Sequence, residues 1–149
     1  NRPFIKKFVD VTKVPASRTD WPINYIVFRY SDLLLLKAEC ILNGAPGNSS
    51  TDVDAVVNQI RRRAGLTAAL SNVTKAQLLD ERRREFIGEG LRWFDLIRSG
   101  AVEPVMKAWI AKEDQAKQMS DFQLNYALYP VPQSELDNSP GLYTQNPGY

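Results

Sequence analysis

The sequence predicts a mainly α-helical chain of helical hairpins packed side by side, with an extended N-terminal arm and a coil-rich C-terminus. Three observations support this fold class. Apolar residues recur at helical spacing in several segments between residues 31 and 118, and glycines follow those segments where helix C-termini are expected. Prolines and glycines concentrate in the last eleven residues, SPGLYTQNPGY, which predicts coil there.

Residues 1–30 have the composition of an extended arm. Phe4-Ile5 and Phe8-Val9 flank two lysines, and the run Tyr25–Phe28 follows Pro22. Aromatic and β-branched residues bounded by prolines favour strand or extended chain. Two short strands make a poor sheet alone, so we expect the arm to lie on another part of the molecule.

The first helix is predicted to have Ser31 as its N-cap residue and Asp32 in its first turn, and to be ended by Gly44. Apolar residues cover nearly its whole circumference, which is typical of a central helix. Cys40 is then expected to be a small buried hydrophobic residue. Glu39 needs a partner, because an unpaired buried carboxylate is unfavourable. We expect that partner to be an arginine from 61–63 or 82–84.

The second helix is predicted to have Thr51 or Asp52 as its N-cap residue and to be ended by Gly65. Its apolar residues form one stripe with spacing i, i+3, i+4, i+7 and i+11. This stripe comprises Val53, Val56, Val57, Ile60 and Ala64.

The third helix is predicted from a capping box, with Thr74 at the N-cap and Gln77 three residues later. Leu78, Leu79, Arg82, Phe86 and Ile87 continue its periodic face. Gly88 and Gly90 predict a break after it.

Further helical segments are predicted beyond that break. Residues 91–98 form a fourth helix closed by Gly100, and a fifth runs from about 104 to 118 with Pro104 in its first turn. Residues 126–132 are extended, and residues 133–137 form a single helical turn after Pro132.

Composition limits the chemistry that is available to the chain. The 149 residues fit one domain, the net charge is +2, and the sequence has one cysteine and no histidine. Intrachain disulfides are therefore impossible. The usual base of serine and cysteine hydrolases and the commonest metal ligand are missing. No apolar run reaches the ~20 residues of a membrane-spanning helix.

The segment ERRREFIGEGLRWFDLIRSG at 81–100 carries five arginines and four acidic residues. A net excess of one positive charge argues against phosphate binding, which depends on uncompensated cations. Glu81, Glu85 and Glu89 repeat every four residues, so they share a helix face and cannot flank a sugar as paired catalytic carboxylates.

A structural joint between helices is the interpretation that this segment favours. Arginine guanidinium groups can hydrogen-bond carboxylates in the partly buried space between helices. The following helix is expected to be anchored by its aromatic and aliphatic residues Trp93, Phe94, Leu96 and Ile97. Asp95 and Arg98 have the i, i+3 spacing of an ion pair. The predicted ionic and aromatic joint comprises Glu39, Glu81, Arg82, Arg83, Glu85, Trp93, Asp95 and Arg98.

Five motifs in series resemble the C-terminal region of the SusD/RagB family of outer-membrane nutrient-binding lipoproteins. They are RYSDLLLLKAEC (29–40), VVNQIRRRAGL (56–66), LLDERRREFIGEGLRWFDLIRSG (78–100), LYPVPQSELDNSP (128–140) and QNPGY (145–149). The series begins at residue 29 and ends at residue 149. Residues 101–125 match only weakly.

The resemblance implies a SusD-like α/α superhelical architecture in which residues 1–149 are the C-terminal part of a longer domain. The absent N-terminal portion would carry an acylated cysteine and tetratricopeptide-like helices. Asn1 then marks an internal cut, and Gly148-Tyr149 matches the family's natural C-terminus. The implied protein is a surface-exposed lipoprotein of the outer membrane.

The function that the resemblance implies is non-catalytic and needs no cofactor. Such proteins capture an oligosaccharide, polysaccharide or other nutrient at the cell surface and deliver it to a SusC-like TonB-dependent transporter. Two alternatives stay open: a helical-repeat adaptor that binds another protein, and an all-α glycoside hydrolase.

Ligand-binding candidates come from the chemistry of sugars, whose C–H faces pack on aromatic rings and whose hydroxyls bind amides. Trp21, Trp109 and Tyr126 are the aromatic residues least explained by a core stripe. Asn125 adds an amide beside Tyr126.

Overall fold

The computed structural model describes residues 5–17, 19–20, 23–46 and 49–149, and these form helices without any strand. The chain divides into two compact units, residues 1–92 and 93–149. The helices are α1 (Tyr30–Leu42), α2 (Ser50–Arg63), α3 (Lys75–Glu85), α4 (Arg92–Arg98), α5 (Val102–Glu113) and α6 (Gln133–Asn138), with 3-10 turns at Lys6–Phe8 and Leu124–Ala127. The mainly α prediction is confirmed.

The core of the first unit lies between α1, α2 and α3. Four side chains have no exposed surface, Leu35 and Ala38 from α1 and Val53 and Val57 from α2. Burying a leucine or valine side chain in this way stabilises the fold by about 1.5–3 kcal/mol, so this core holds the hairpin together. Ile60, Val73, Leu78 and Phe86 complete the core.

Capping interactions fix where two of these helices begin. Thr74 Oγ1 accepts a hydrogen bond from the Gln77 backbone N–H at 3.2 Å, and Gln77 Oε1 accepts one from the Thr74 N–H at 2.9 Å. The predicted capping box of α3 is therefore confirmed. Helix α2 begins in a similar way, but the acceptor for the Ser49 N–H is the Asp52 carboxylate, at 2.8 Å.

Side chains of α2 also hold the connection to α3. Buried Asn58 donates to the Leu70 carbonyl and accepts from the Leu70 N–H, each at 2.8 Å. Asp54 accepts from the N–H groups of Asn72 and Val73 at 2.8 and 2.9 Å. This irregular segment thus finds partners for its backbone in α2 instead of in water.

The predicted break after α3 is confirmed. Gly88 and Gly90 have φ of +81° and +77°, in the left-handed region that glycine adopts without strain. Gly88 also lies against the arm, since a Cβ there would be 3.3 Å from Ile5 Cδ1.

The arm is extended without being a strand. Among its described residues, the backbone forms one 3-10 turn and an isolated bridge between Ser17 and Asp20. It lies on the first unit as expected, and the rings of Phe8 and Tyr25 stack at 5.7 Å between centroids. Strand formation needs a partner edge, and the described residues supply none.

The second unit has its own buried residues, Leu96, Val102 and Phe122. The Phe122 ring meets those of Trp93 and Tyr126 edge to face, at 6.2 and 5.7 Å between centroids. Helix α4 and the helical turn after Pro132 are confirmed, but α5 ends at Glu113 instead of near Gln118.

Several burial predictions are wrong. Cys40 is exposed, and α1 buries only one side among the described residues. Ala64, Phe94 and Ile97 are exposed, as is Ile87 beyond α3. Periodicity identified the correct helices but overestimated how much of each surface is covered, because the described residues pack on one side of each helix.

Candidate functional site

The C-terminal end of α3 and the turn after it carry two carboxylates that form ion pairs with three cationic side chains. Glu85 binds Arg29 and Arg63, and Glu89 binds Arg29 and Lys7. Lys7 also donates to the Glu85 carbonyl at 2.7 Å. We call Lys7, Arg29, Arg63, Glu85 and Glu89 the ionic cluster; it joins the arm, the start of α1, the end of α2 and the end of α3.

Glu89 is held in its charged form. Burial alone would raise the pKa of this carboxyl, but hydrogen bonds from Arg29 and Lys7 outweigh burial, and the pKa lies below its ordinary value. A general acid needs the opposite shift. Glu89 therefore has the electrostatics of a structural ion pair and lacks those of a proton donor.

The aromatic part of the joint is Phe86. The guanidinium carbons of Arg29 and Arg82 lie 4.6 and 4.9 Å from its ring centroid, both within cation–π range. Arg82 is itself buried and pairs with Asp32 of α1 at 2.8 Å. The joint thus ties α1 to α3 by charge and by ring packing together.

The other residues assigned to the joint lie in several environments. Buried Glu81 pairs with Arg61 at 3.1 Å, and buried Asp95 pairs with Arg98 at 2.8 Å. Trp93 is half-buried and Arg83 is exposed. Glu39 is half-buried on α1, and its pairing with an arginine from 61–63 or 82–84 stays a prediction.

Three of the four ligand-binding candidates fall in described residues, all in the second unit. Trp109 on α5 is 46% exposed, and Tyr126 presents a partly exposed ring that packs edge-on against Phe122. Asn125 Nδ2 donates to the Gly148 carbonyl at 3.4 Å. The fourth candidate, Trp21, lies outside the described residues.

The structure also forms an arm groove that sequence reasoning missed. A cavity of about 300 Å³ is lined by Phe8, Val9, Ile23, Asn24 and Tyr25. A second cavity of about 290 Å³ shares Val9, Ile23 and Asn24 and adds Lys7, Asp10 and Lys13.

The arm groove combines an aromatic half with a polar half. Tyr25 is 65% exposed, and the Asn24 amide stands beside it. The neighbouring pair Asn24-Tyr25 in the sequence could have indicated such a site, but the aromatic run suggested a strand instead.

The described residues lack two further features. No group of histidine, cysteine, aspartate or glutamate side chains in this part of the chain could hold a metal ion. Likewise, none of its helices has the length and apolar character that crossing a membrane requires.

Comparison with known proteins identifies relatives along the whole chain. The family model described as "SusD family" matches residues 1–149. The starch-binding protein SusD of Bacteroides thetaiotaomicron is 33% identical over 136 residues, which are 91% of this chain and 23% of that protein. SusD-like protein P38 of Formosa agariphila is 38% identical over 107 residues, which are 63% of this chain and 20% of that protein.

Solved structures agree with these relatives. Surface glycan-binding protein A from Bacteroides thetaiotaomicron in complex with laminarihexaose has a TM-score of 0.74 at 33% identity, over 85% of this chain and 26% of that one. A SusD superfamily protein from Bacteroides vulgatus has a TM-score of 0.69 at 31% identity, over 90% of this chain and 29% of that one. This chain therefore spans about a quarter of the length of the relatives that it matches, and it belongs to the SusD family.

Proposed function

We propose that residues 1–149 are the C-terminal part of a surface lipoprotein that captures an oligosaccharide at the outer membrane and delivers it to a SusC-like TonB-dependent transporter. The observation that carries this proposal is the match of the whole chain to the SusD family, together with a 33%-identical structure that binds laminarihexaose. A glucan is the substrate class that the names of two relatives support, one binding starch and one binding laminarihexaose.

The proposed capture is non-catalytic. Hydrolysis of a glycoside requires two free carboxylates on opposite sides of the bond. In the 81–98 segment, Glu81, Glu85, Glu89 and Asp95 all pair with arginine or lysine. These pairs favour a role in holding the scaffold over the hydrolase alternative.

The arm groove has the chemistry that a neutral sugar needs. The exposed Tyr25 ring offers a face for the C–H side of a pyranose, and the Asn24 amide can bind a hydroxyl. Asp10 provides a carboxylate in the adjoining cavity, where it already accepts a hydrogen bond from the Thr12 N–H at 3.0 Å. Trp109, Asn125 and Tyr126 remain the candidates in the second unit.

Calorimetry of the full-length protein with laminarihexaose and with soluble starch tests the capture function. We expect binding to at least one of the two glucans and no release of reducing sugar on prolonged incubation. Absence of binding to both, or hydrolysis that an amide substitution of a carboxylate abolishes, would contradict the proposal.

The Tyr25→Ala variant tests the arm groove separately. Loss of one stacking surface should weaken the Kd about five- to tenfold, which corresponds to about 1–1.4 kcal/mol. Tyr129→Ala is the matched control, because Tyr129 is an exposed tyrosine of the second unit that does not line the groove, and its Kd should stay within about twofold. Equal affinities for both variants would remove the groove from the binding site.

Affinity purification of the tagged full-length protein from outer membranes tests the proposed partner. Recovery of a TonB-dependent transporter is the expected result. Recovery of a soluble protein in its place would favour the helical-repeat adaptor.

A further inference from the structure

The arm groove has two walls that come from separate stretches of the arm. Phe8 and Val9 form one wall, and Ile23, Asn24 and Tyr25 form the other. The backbone hydrogen bonds in the described part of the arm join residues three positions apart, so they do not tie one wall to the other. The separation of the two walls therefore depends on contacts made by side chains and on the surface that both walls rest against.

The turn after α3 lies against both walls. We call its residues Gly88, Glu89 and Gly90 the glycine turn. A Cβ at Gly88 would lie 3.7 Å from Phe8 Cε2, and a Cβ at Gly90 would lie 3.9 Å from Tyr25 Oη. Both glycines have left-handed φ values, which let the backbone approach the arm this closely. The first wall thus meets the turn at Gly88, and the second wall meets it at Gly90.

Glu89 adds a charged contact between the same turn and the groove. Its carboxylate accepts a hydrogen bond from Lys7 Nζ, and Arg29 Nε donates to that carboxylate at 2.9 Å. Lys7 lines the polar cavity of the groove. Only 3% of the Glu89 side chain is exposed, so Glu89 acts on the groove through the position of Lys7 and not by contacting a ligand.

We propose that the glycine turn is the positioning element of the arm groove, because it holds the two walls and Lys7 in the arrangement that receives a sugar. This inference rests on the proposed capture function. A groove that already has its binding arrangement loses less conformational entropy when the ligand binds. Residues that do not contact the ligand can raise the affinity in this way.

A pair of glycine variants separates positioning from backbone strain. Gly88→Ala places a methyl group 3.3 Å from Ile5 Cδ1, so the arm has to shift. Gly65→Ala is the matched control, since its φ of +87° is close to the +81° of Gly88 but no described atom lies within 4 Å of the added Cβ. Both changes strain the backbone and should lower the Tm of the full-length protein by similar amounts.

Calorimetry of these two variants with laminarihexaose and with soluble starch gives the readout. For a glucan that the wild type binds, Gly88→Ala should weaken the Kd by at least about fourfold, and Gly65→Ala should leave it within about twofold. Equal Kd values for the two variants would overturn the proposal.

Glu89→Gln provides a second test, because it keeps the shape of the side chain and removes the charge that binds Lys7. It should weaken the Kd by about fourfold, whereas Glu103→Gln, which breaks an exposed pair in the second unit, should leave the Kd within about twofold. In a Tyr25→Ala background, Glu89→Gln should have an effect below about twofold, because both residues act on one groove. Effects that multiply would show that Glu89 acts outside the groove and would overturn the proposal.

The outcomes distinguish this inference from the proposed function. If the wild type binds neither glucan, the capture function fails and the positioning role fails with it. If the wild type binds and Tyr25→Ala has no effect, the groove is not the binding site and has no positioning element. If Tyr25→Ala weakens binding but Gly88→Ala and Glu89→Gln do not, the capture function stands and this inference fails. If Gly88→Ala does not fold, Glu89→Gln decides.

Discussion

Glu89 has only 3% of its side-chain surface exposed, yet the residues around it keep it ionised. Arg29 donates to both of its carboxylate oxygens from Nε, at 3.1 and 2.9 Å, and Lys7 binds from the arm. Two charge-assisted contacts offset the loss of hydration that burial imposes. A buried carboxylate in this family member is therefore a connection between segments, and its partners decide its role more than its burial does.

Replacement of Glu89 tests this interpretation. Glu89→Gln should lower the free energy of unfolding at pH 7 by about 2 kcal/mol, since Lys7 and Arg29 lose a charged acceptor while Arg29 keeps Glu85. The pKa of Glu89 is lowered by folding, so its stabilisation is complete above the unfolded-state value of about 4.3 and is lost as pH falls through the folded-state pKa. The difference in free energy of unfolding between wild type and Glu89→Gln should thus be constant from pH 7 to about 5 and should shrink below about pH 4.

Urea denaturation of the full-length protein at several pH values measures both effects. Glu103→Gln is the control, because Glu103 and Lys107 form an exposed pair at 2.9 Å whose loss should change stability by less than about 1 kcal/mol. If the difference in free energy of unfolding between wild type and Glu89→Gln grows as the pH falls, the carboxyl is protonated on folding, contrary to the prediction.

At the scale of elements, the sequence predicts helices well and their connections poorly. Thr74 and Gln77 identify the start of α3 because capping is a local interaction over three residues, and Gly88 identifies its end for a similar reason. Glu85 and Glu89 share Arg29 as a partner, and Arg29 is 56 and 60 residues earlier in the chain. The spacing of residues in the sequence gives no reason to choose Arg29 over nearer arginines, because tertiary packing alone brings Arg29 beside these two carboxylates.

The candidate site was less predictable than the fold for the same reason. Trp109 and Tyr126 could be proposed as exposed aromatics because they stand outside any helical stripe. The arm groove depends on the stacking of Phe8 on Tyr25, 17 positions apart in an irregular segment without a repeat. Irregular backbone has no periodicity, so the side chains that it brings together cannot be read from spacing.

Asn58 illustrates an element-scale contact that can be tested. Asn58→Ala should destabilise the protein by about 2 kcal/mol, because both backbone groups of half-buried Leu70 lose their partner and the connection between α2 and α3 loses its attachment. Gln59→Ala changes the next residue of α2, which is exposed, and should have an effect below about 0.5 kcal/mol. Urea denaturation of the two variants measures these effects. Equal losses of unfolding free energy would mean that water can replace the Asn58 side chain.

At the scale of the whole molecule, the net charge is small, and the described cations of the ionic cluster lie beside carboxylates that offset most of their charge. The net charge is +2, and the three cations of the ionic cluster face two carboxylates. Arg84, which lines a cavity beside the cluster, pairs with Asp80. These ion pairs agree with the proposal of an uncharged ligand such as a glucan, whose recognition depends on ring stacking and hydrogen bonds.

Local neutralisation makes a prediction about polyanions. Arg63 is the most exposed cation of the cluster, at 61% of its side chain. If Glu85 neutralises it, the full-length protein and its Arg63→Ala variant should elute from a heparin column at the same salt concentration, because no phosphate- or sulfate-binding cation has been removed. A clear fall in the eluting salt concentration for Arg63→Ala would show that the cluster attracts anions. The chain would then be expected to favour charged polysaccharides, and the glucan assignment would have to be replaced.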